Sequence, residues 1–443
     1  MAEVLPFQGV LFNSEVIGDM ADVVTPPYDV ISAQEQEGFY QRHPNNVVRL
    51  ILGKSKPGDK STGDIHHRAA RYFEQWLSSR VLVQDDGPAF YLTSVTFSVG
   101  SSDVTRYGII GRVRLEPFDK GIVLPHERTF SKVKSERLQL MQACHANFSP
   151  IFGLYADGDG SLQQLIEKAA AQAPDMDFVD SKGLIHKLWR LFDPELQGCI
   201  TSALKDQCIY IADGHHRYET ALNYRKWVAD HNPNFDQDHP ANYVMMNLSS
   251  LSDPGMVIFP AHRLLQDVSI DDKFRLFDEL GTYFDSRIFP TAAGPGEVMD
   301  AFDTALAQAA DHHAIGMYCK DPEDRCELSI LILKEGVMER LFGEEIPGAL
   351  LDLDVTVLTR LVMMELLGYD QDRLDDATKI GYATTSKAAV EAVERNQADI
   401  AFILNPTRIE QVQRVSRAGL IMPRKSTYFY PKVGSGMVFN LLR

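Results

Sequence analysis

The segment IADGHHRYETAL, residues 211–222, sets an acid, a glycine, two histidines and an arginine between an apolar run and a helical pattern. Before it, CIYIA (208–212) is apolar and β-rich; after it, Ala221, Leu222, Tyr224, Trp227 and Val228 recur at helical spacing. Asp213 to Arg217 are therefore expected on a strand-to-helix turn. The first N–H groups of a helix have no internal partners and its dipole favours negative charge, so such a turn suits a phosphate. Gly214 would let a ligand approach the backbone with no Cβ in the way, and Arg217 can offer a forked pair of hydrogen bonds. His215 and His216 are neighbours, so on a helix they point about 100° apart. One is expected to meet the ligand while the other braces the turn. Asp213 would repel phosphate directly but suits an Mg2+ ion bridging phosphate oxygens. The plainer alternative is a capped helix start, with Asp213 as N-cap, solvated histidines and Arg217 in a surface ion pair.

Other stretches could serve the same chemistry. RTFSKVKSER (128–137) packs cations closely, and in an acidic chain Lys132, Lys134 and Arg137 would ease the collection of phosphates. A solvated basic helix face is the bland account of the same residues. RKSTYFYPK (424–432) joins cations, hydroxyls and aromatics. Lys425, Ser426 and Thr427 have the donors that a small substrate's carboxylate or phosphate would want, although a plain β-edge needs no ligand. TPPYDVIS (25–32) reads as architectural, with two prolines stiffening the chain and Asp29 bracing a turn. The pairs His66–His67 and His312–His313 lack helical metal-ligand spacing, which argues against zinc.

The elements that must position these residues alternate between strand and helix. Ser32 and Glu35 have capping-box spacing. NNVVRLIL (45–52) reads as a buried strand, and Ile65, Ala69, Tyr72, Phe73, Trp76 and Leu77 make one face of a helix over about 64–79. AFYLTSVTFSV and TRYGIIGRVRL flank GSSD as a β-hairpin. A helix starts near Leu162. Further on, AIGMYC, CELSILIL and ADIAFIL are strands; Thr407 with Glu410 has capping-box spacing, and Gly419 stands where a glycine ends that helix. The fold class is mixed α/β.

Length and composition bound the rest. At 443 residues the chain is expected to form two or three domains. A formal charge of −17 argues against coating nucleic acid, which needs a basic surface. No apolar run is long enough to span a bilayer, and MAEVLPFQGV does not read as a signal peptide. Five scattered cysteines without C-x-x-C spacing suggest reduced thiols in the cytoplasm.

ADGHHRYETAL resembles the signature of a widespread bacterial and archaeal family of conserved proteins of unknown function. That family is similar to the archaeal free-serine kinase and, more distantly, to the ParB/sulfiredoxin superfamily. Three blocks carry the likeness to the kinase: Pro125–His126–Glu127, DGHHR (213–217) and ADIAFILNPTRIEQVQRVSRAGLIMPRKSTYFYP (398–431). TPPYDVIS, HERTF with NFSPIFGLY (126–155) and FPAHRLL (259–265) match the broader family. The resemblance implies a ParB/sulfiredoxin-like nucleotide-binding core with additional α/β segments. It suggests an N-terminal region over 1–110, a core over 111–265 with an insertion at about 156–205, and a C-terminal domain over 266–443. It implies Glu127, Asp213 and His216 as catalytic residues, Glu127 being the general base. Gly214, His215, His216, Arg217, Lys132 and Arg137 would bind ATP or ADP with Mg2+ on Asp213, and Lys425, Ser426 and Thr427 would bind substrate. Where the kinase sets a Thr/His pair against serine, this chain offers Lys425, Ser426, Thr427 and Tyr428, so the expected acceptor is a small hydroxylated metabolite with serine as nearest analogue. A homo-oligomer is left open. Two other functions compete: a nucleotide-binding switch of the ParB type and a metal-dependent phosphohydrolase.

Overall fold

The computed structural model describes residues 1–129, 131–290, 295–320 and 326–443, with the side chains of 131–133 and 297 also outside the description. The chain divides into two compact units, Met1–Val257 with Pro431–Arg443, and Ile258–Tyr430. Both are mixed α/β. Residue 110, expected at a domain border, lies inside a long strand of the first unit.

In the first unit, helices α1 (Ala33–Arg42), α2 (Val48–Ile51) and α3 (Thr62–Ser78) precede most of the sheet. The capping box at Ser32 and Glu35 is formed in both directions, which fixes the start of α1. The expected strand over 45–52 is instead the single turn α2. Asn46 accounts for this: its Oδ1 accepts from Val48 N at 2.9 Å while its Nδ2 donates to Asp22 O at 2.7 Å. Such a local side-chain bond offers the backbone a turn in place of a ladder.

The sheet contains β1 (Val4–Leu5), β2 (Phe90–Val99), β3 (Ser102–Arg114), β4 (Val123–Leu124), β5 (Ile151–Tyr155), β6 (Met176–Val179), β7 (Ile185–Leu191), β8 (Ile209–Asp213) and β9 (Tyr243–Ser250). Its order is β4–β8–β5–β9–β3–β2–β7–β6, with β1 on β3. β4 and β8 are parallel, as are β5 and β9; the remaining pairs are antiparallel. The expected hairpin is β2–β3, closed by Gly100 and Ser101. Helices α4 (Ser131–Cys144), α5 (Ser161–Ala170), α6 (Pro194–Lys205) and α7 (His215–His231) complete the unit. Val123, Ile151, Ile209, Ile211, Tyr218 and Ala221 share one core, which seats α7 against the end of the sheet that carries β4, β8 and β5. Burying the valine and isoleucine side chains contributes about 1.5–3 kcal/mol each.

The second unit carries a six-stranded sheet, antiparallel throughout, among the described residues. Its strands are β10 (His262–Leu265), β11 (Phe284–Phe289), β12 (Ala314–Lys320), β13 (Cys326–Leu333), β14 (Ile380–Ala383) and β15 (Ile400–Leu404), in the order β11–β13–β12–β15–β10–β14. Helices α8 (Ile270–Tyr283), α9 (Met299–Gln308), α10 (Ser386–Glu394) and α11 (Ile409–Arg417) accompany it. α11 begins one residue later than its expected cap: Arg408 N donates to Gln411 Oε1 at 2.9 Å, while Thr407 Oγ1 donates to Ser426 O at 2.6 Å. Gly419, at φ +67, ends that helix as expected. Among the described residues, no helix is long and apolar enough to cross a membrane.

Candidate functional site

The parallel pairing of β4 with β8 builds the site. Val123 lies beside Ile209 and Leu124 beside Tyr210, so both strands end at the same place. The chain leaves β4 as Pro125–His126–Glu127 and leaves β8 as Asp213–Gly214. A register shift between Ile211 and Asp213, opposite β5, re-aims the end of β8. Gly214 then adopts φ +96 and starts α7 without a side-chain cap. Only glycine takes that conformation cheaply.

Asp213 is buried, and both of its oxygens are engaged: Oδ2 accepts from the Arg217 guanidinium and Oδ1 from the Lys432 ammonium. Burial pushes the Asp213 carboxyl up, but Lys432 and Arg217 outweigh it and hold it far below the usual carboxylate range. Burial pulls on Lys432 in the other direction, and Asp213 overcomes it, so the ammonium stays charged. Arg217 also donates to Pro150 O. His215 is buried; its Nε2 accepts from His126 N at 3.2 Å, and its Nδ1 lies 3.9 Å from Glu127 Oε2. The proton of a neutral His215 therefore sits on the nitrogen facing Glu127. Burial, with His126 close by, holds His215 well below its ordinary value, and burial brings His126 down to about 4. The two imidazoles meet edge to face at 4.7 Å.

This arrangement brings Glu127, Asp213, Gly214, His215, His216 and Arg217 together. His215 is the bracing histidine, and His216 is half-buried. Three expectations change. Asp213 is neither an N-cap nor an open metal ligand: its two oxygens are taken by cations, so its donors do not fit a directly bound Mg2+. Among the described residues, no group of three His, Cys, Asp or Glu side chains could hold a metal ion. The space over Gly214 is filled by the chain's own Arg217, whose guanidinium would stand 2.9 Å from an added Cβ. Arg137 is drawn inward: it donates to Ile51 O at 2.7 Å and to Glu136 Oε1 at 2.6 Å, and lies 4.1 Å over the Tyr28 ring. Arg137, Tyr28, Arg217, Ser149 and Thr220 line a cavity of about 60 Å³, room for water rather than a nucleotide. Lys134 pairs with Glu219, and the side chain of Lys132 lies outside the described residues.

Lys425, Ser426 and Thr427 belong to the second unit. Lys425 stands at φ +55, and its carbonyl accepts from Arg263 Nη2 at 3.1 Å. Ser426 is buried and donates to Pro423 O at 2.6 Å. Its hydroxyl proton therefore serves the loop.

Lys432 and Arg106 escaped the sequence reading. Lys432 closes RKSTYFYPK, and its pairing partner stands 219 positions away, beyond the reach of local spacing. Arg106 is fully buried in β3, donates to Pro431 O at 2.7 Å and lies 4.5 Å over the Phe152 ring. Arg106 is one of three arginines in that strand, with Arg112 and Arg114, so the sequence held no signal that singled it out.

Among solved structures, a free serine kinase variant in complex with ADP is similar at 13% identity and a TM-score of 0.34, over 73% of this chain and 87% of that one. A conserved hypothetical protein from Pyrococcus furiosus is similar at 12% identity and a TM-score of 0.34, over 75% and 95% of the two chains. SbnI with a C-terminal truncation, from Staphylococcus aureus, is similar at 9% identity and a TM-score of 0.35, over 73% and 84%. No curated protein sequence matches the chain. A family model matches residues 4–355, and the chain belongs to that family, DUF1015, described as proteins of unknown function.

Proposed function

We propose that this protein is a nucleotide-dependent phosphotransferase acting on a hydroxyl of a small metabolite, built on a ParB/sulfiredoxin-like core. The observation that carries the reading is the convergence of Glu127 on the start of α7, with its carboxylate 3.9 Å from His215 Nδ1. A carboxylate beside a helix N-terminus pairs a proton acceptor with a phosphate seat. In this reading the amides of the first turn of α7 receive the phosphate tail of ADP or ATP. Glu127 takes the proton of the acceptor hydroxyl as its oxygen bonds to the terminal phosphorus. The bond from that phosphorus to the bridging oxygen breaks, and AMP or ADP leaves with the electron pair. Arg217 and Lys432 supply positive charge nearby, and catalysis is positioning plus charge stabilisation. The motif resemblance at Pro125–Glu127 and Asp213–Arg217 supports the same assignment.

The test pairs binding with chemistry. Thermal shift with ADP, ATP and CTP should give a higher Tm with at least one nucleotide, since a ligand that binds only the folded state stabilises it by mass action. Phosphorus NMR should then detect transfer to serine, another hydroxy amino acid or a polyol. Glu127→Gln should lose transfer about 100-fold or more while keeping nucleotide affinity. Absence of any nucleotide effect would sink the proposal, and equal loss of binding and transfer would remove Glu127 from the role of base.

A further inference from the structure

We infer that Lys432 is a positioning residue of this site: anchored on Asp213 among the acids that converge there, its ammonium sets the electrostatic field at Glu127. The inference rests on the phosphotransfer reading for its meaning, but its geometry stands alone. The Lys432 side chain is only 15% exposed and pairs with Asp213, itself shared with Arg217. The segment carrying it is clamped on both sides. Arg106 holds the carbonyl of Pro431 at 2.7 Å, and Ser435 pairs through its backbone with Thr25 and through its hydroxyl with Ser149 at 2.5 Å. An ammonium that deep persists only with a partner, because an unpaired buried charge is costly.

The groups facing Lys432 come from several segments. Asp213 and His215 lie at the β8–α7 turn, His126 and Glu127 after β4, and Asp29 in the turn that also carries Tyr28; each of the three acids favours the charged lysine. On the sheet side, Thr93, Ser94, Arg106, His186, Asn247 and Ser249 line a cavity of about 20 Å³ that Lys432 also reaches, space for a water. The two histidines are held neutral by burial, so Lys432 and Arg217 are the positive charges set directly against the local acids. Without Lys432, Glu127 would share the site with Asp29 and Asp213 and face one cation fewer.

The test reads Glu127 directly and needs no nucleotide. Infrared difference spectra across pH, with Glu127→Gln as the subtraction, follow the ionisation of this carboxylate in the full chain. Lys432→Met should raise its midpoint by about one pH unit, the size expected from losing a nearby opposite charge, and Lys432→Arg should restore it. If Lys432→Met does not fold, Asp213→Asn/Lys432→Met removes both members of the buried pair, and its midpoint should stand about one pH unit above that of Asp213→Asn alone, since loss of Asp213 by itself lowers the midpoint. An unchanged midpoint in folded Lys432→Met, or a double variant that titrates with Asp213→Asn, overturns the inference. So does a midpoint that Lys432→Arg leaves displaced. If no phosphotransfer is ever found, the spectra still decide the role of Lys432. Where transfer is found, the acid limb of kcat/KM should move with the midpoint.

Discussion

The turn at Asp213–Arg217 and the loop at Arg424–Thr427 use similar residues to opposite ends. In the first unit a buried acid is set against two cations, and the charges balance one another. In the second, the buried Arg263 donates to the carbonyls of Ala261, Arg424 and Lys425, and Ser426 donates to Pro423. There the Arg263 guanidinium meets peptide carbonyls, and Arg424 of the loop forms a half-exposed pair with Asp375 at 2.8 Å. A site at the ends of parallel strands can gather side chains from distant segments, whereas a loop spends its polar groups on holding its own shape. The two places should therefore respond differently to truncation.

The largest difference is expected from removing one acid. Asp213→Ala leaves Lys432 and Arg217 buried beside each other without their counter-charge, and should cost about 3–5 kcal/mol in the unfolding of the first unit. Ser426→Ala removes one hydrogen bond from the second unit and should cost about 1 kcal/mol. Denaturant unfolding followed by unit-specific probes measures both. Equal losses would erase the distinction between a charge cluster and a self-bonded loop.

Acid should expose what the units share. Burial brings His126 down to about 4 from an ordinary 6.5, and does the same to His262 in the second unit. The folded chain keeps both neutral where the unfolded chain binds a proton. Their contribution is thus complete above the unfolded midpoint of 6.5 and is lost as pH falls toward 4. Each can contribute about 3 kcal/mol across that window. His126→Gln should flatten the pH dependence of the first unit's stability and leave the slope of the second unit intact. A slope unchanged by His126→Gln would mean that other groups carry the acid response.

Much of the local structure was legible because it depends on neighbours in sequence. The α1 capping box, the α3 face, the β2–β3 hairpin and the stop at Gly419 each follow from residues within a few positions. The strand-to-helix turn at Asp213–Arg217 was legible for the same reason. What was not legible depends on long-range pairing. Nothing in the spacing says that Lys432 reaches Asp213, that Arg137 folds inward over Tyr28, or that Arg217 covers Gly214. The error at NNVVRLIL was local: the apolar run outweighed a single Asn46, whose side chain closes the turn. Asp213 was read as an Mg2+ ligand from its sequence neighbours alone, whereas one of the two cations on its oxygens, Lys432, lies 219 positions away.

The finest test sets two left-handed residues against each other. Gly214 sits at φ +96 with the Arg217 guanidinium 2.9 Å from where a Cβ would be; Lys425 sits at φ +55 and already carries a Cβ. Gly214→Ala meets both the backbone penalty and a contact that pushes Arg217 off Asp213, so it should cost about 2 kcal/mol. Lys425→Gly relieves the same kind of backbone penalty, but the unfolded chain gains freedom that offsets part of it. The net change should stay within about 1 kcal/mol and lean toward stabilisation. Thermal unfolding of the two variants gives both signs. If Lys425→Gly instead destabilises strongly, the lysine side chain holds that loop, and the second unit's segment carries a side-chain role that its backbone bonds do not reveal.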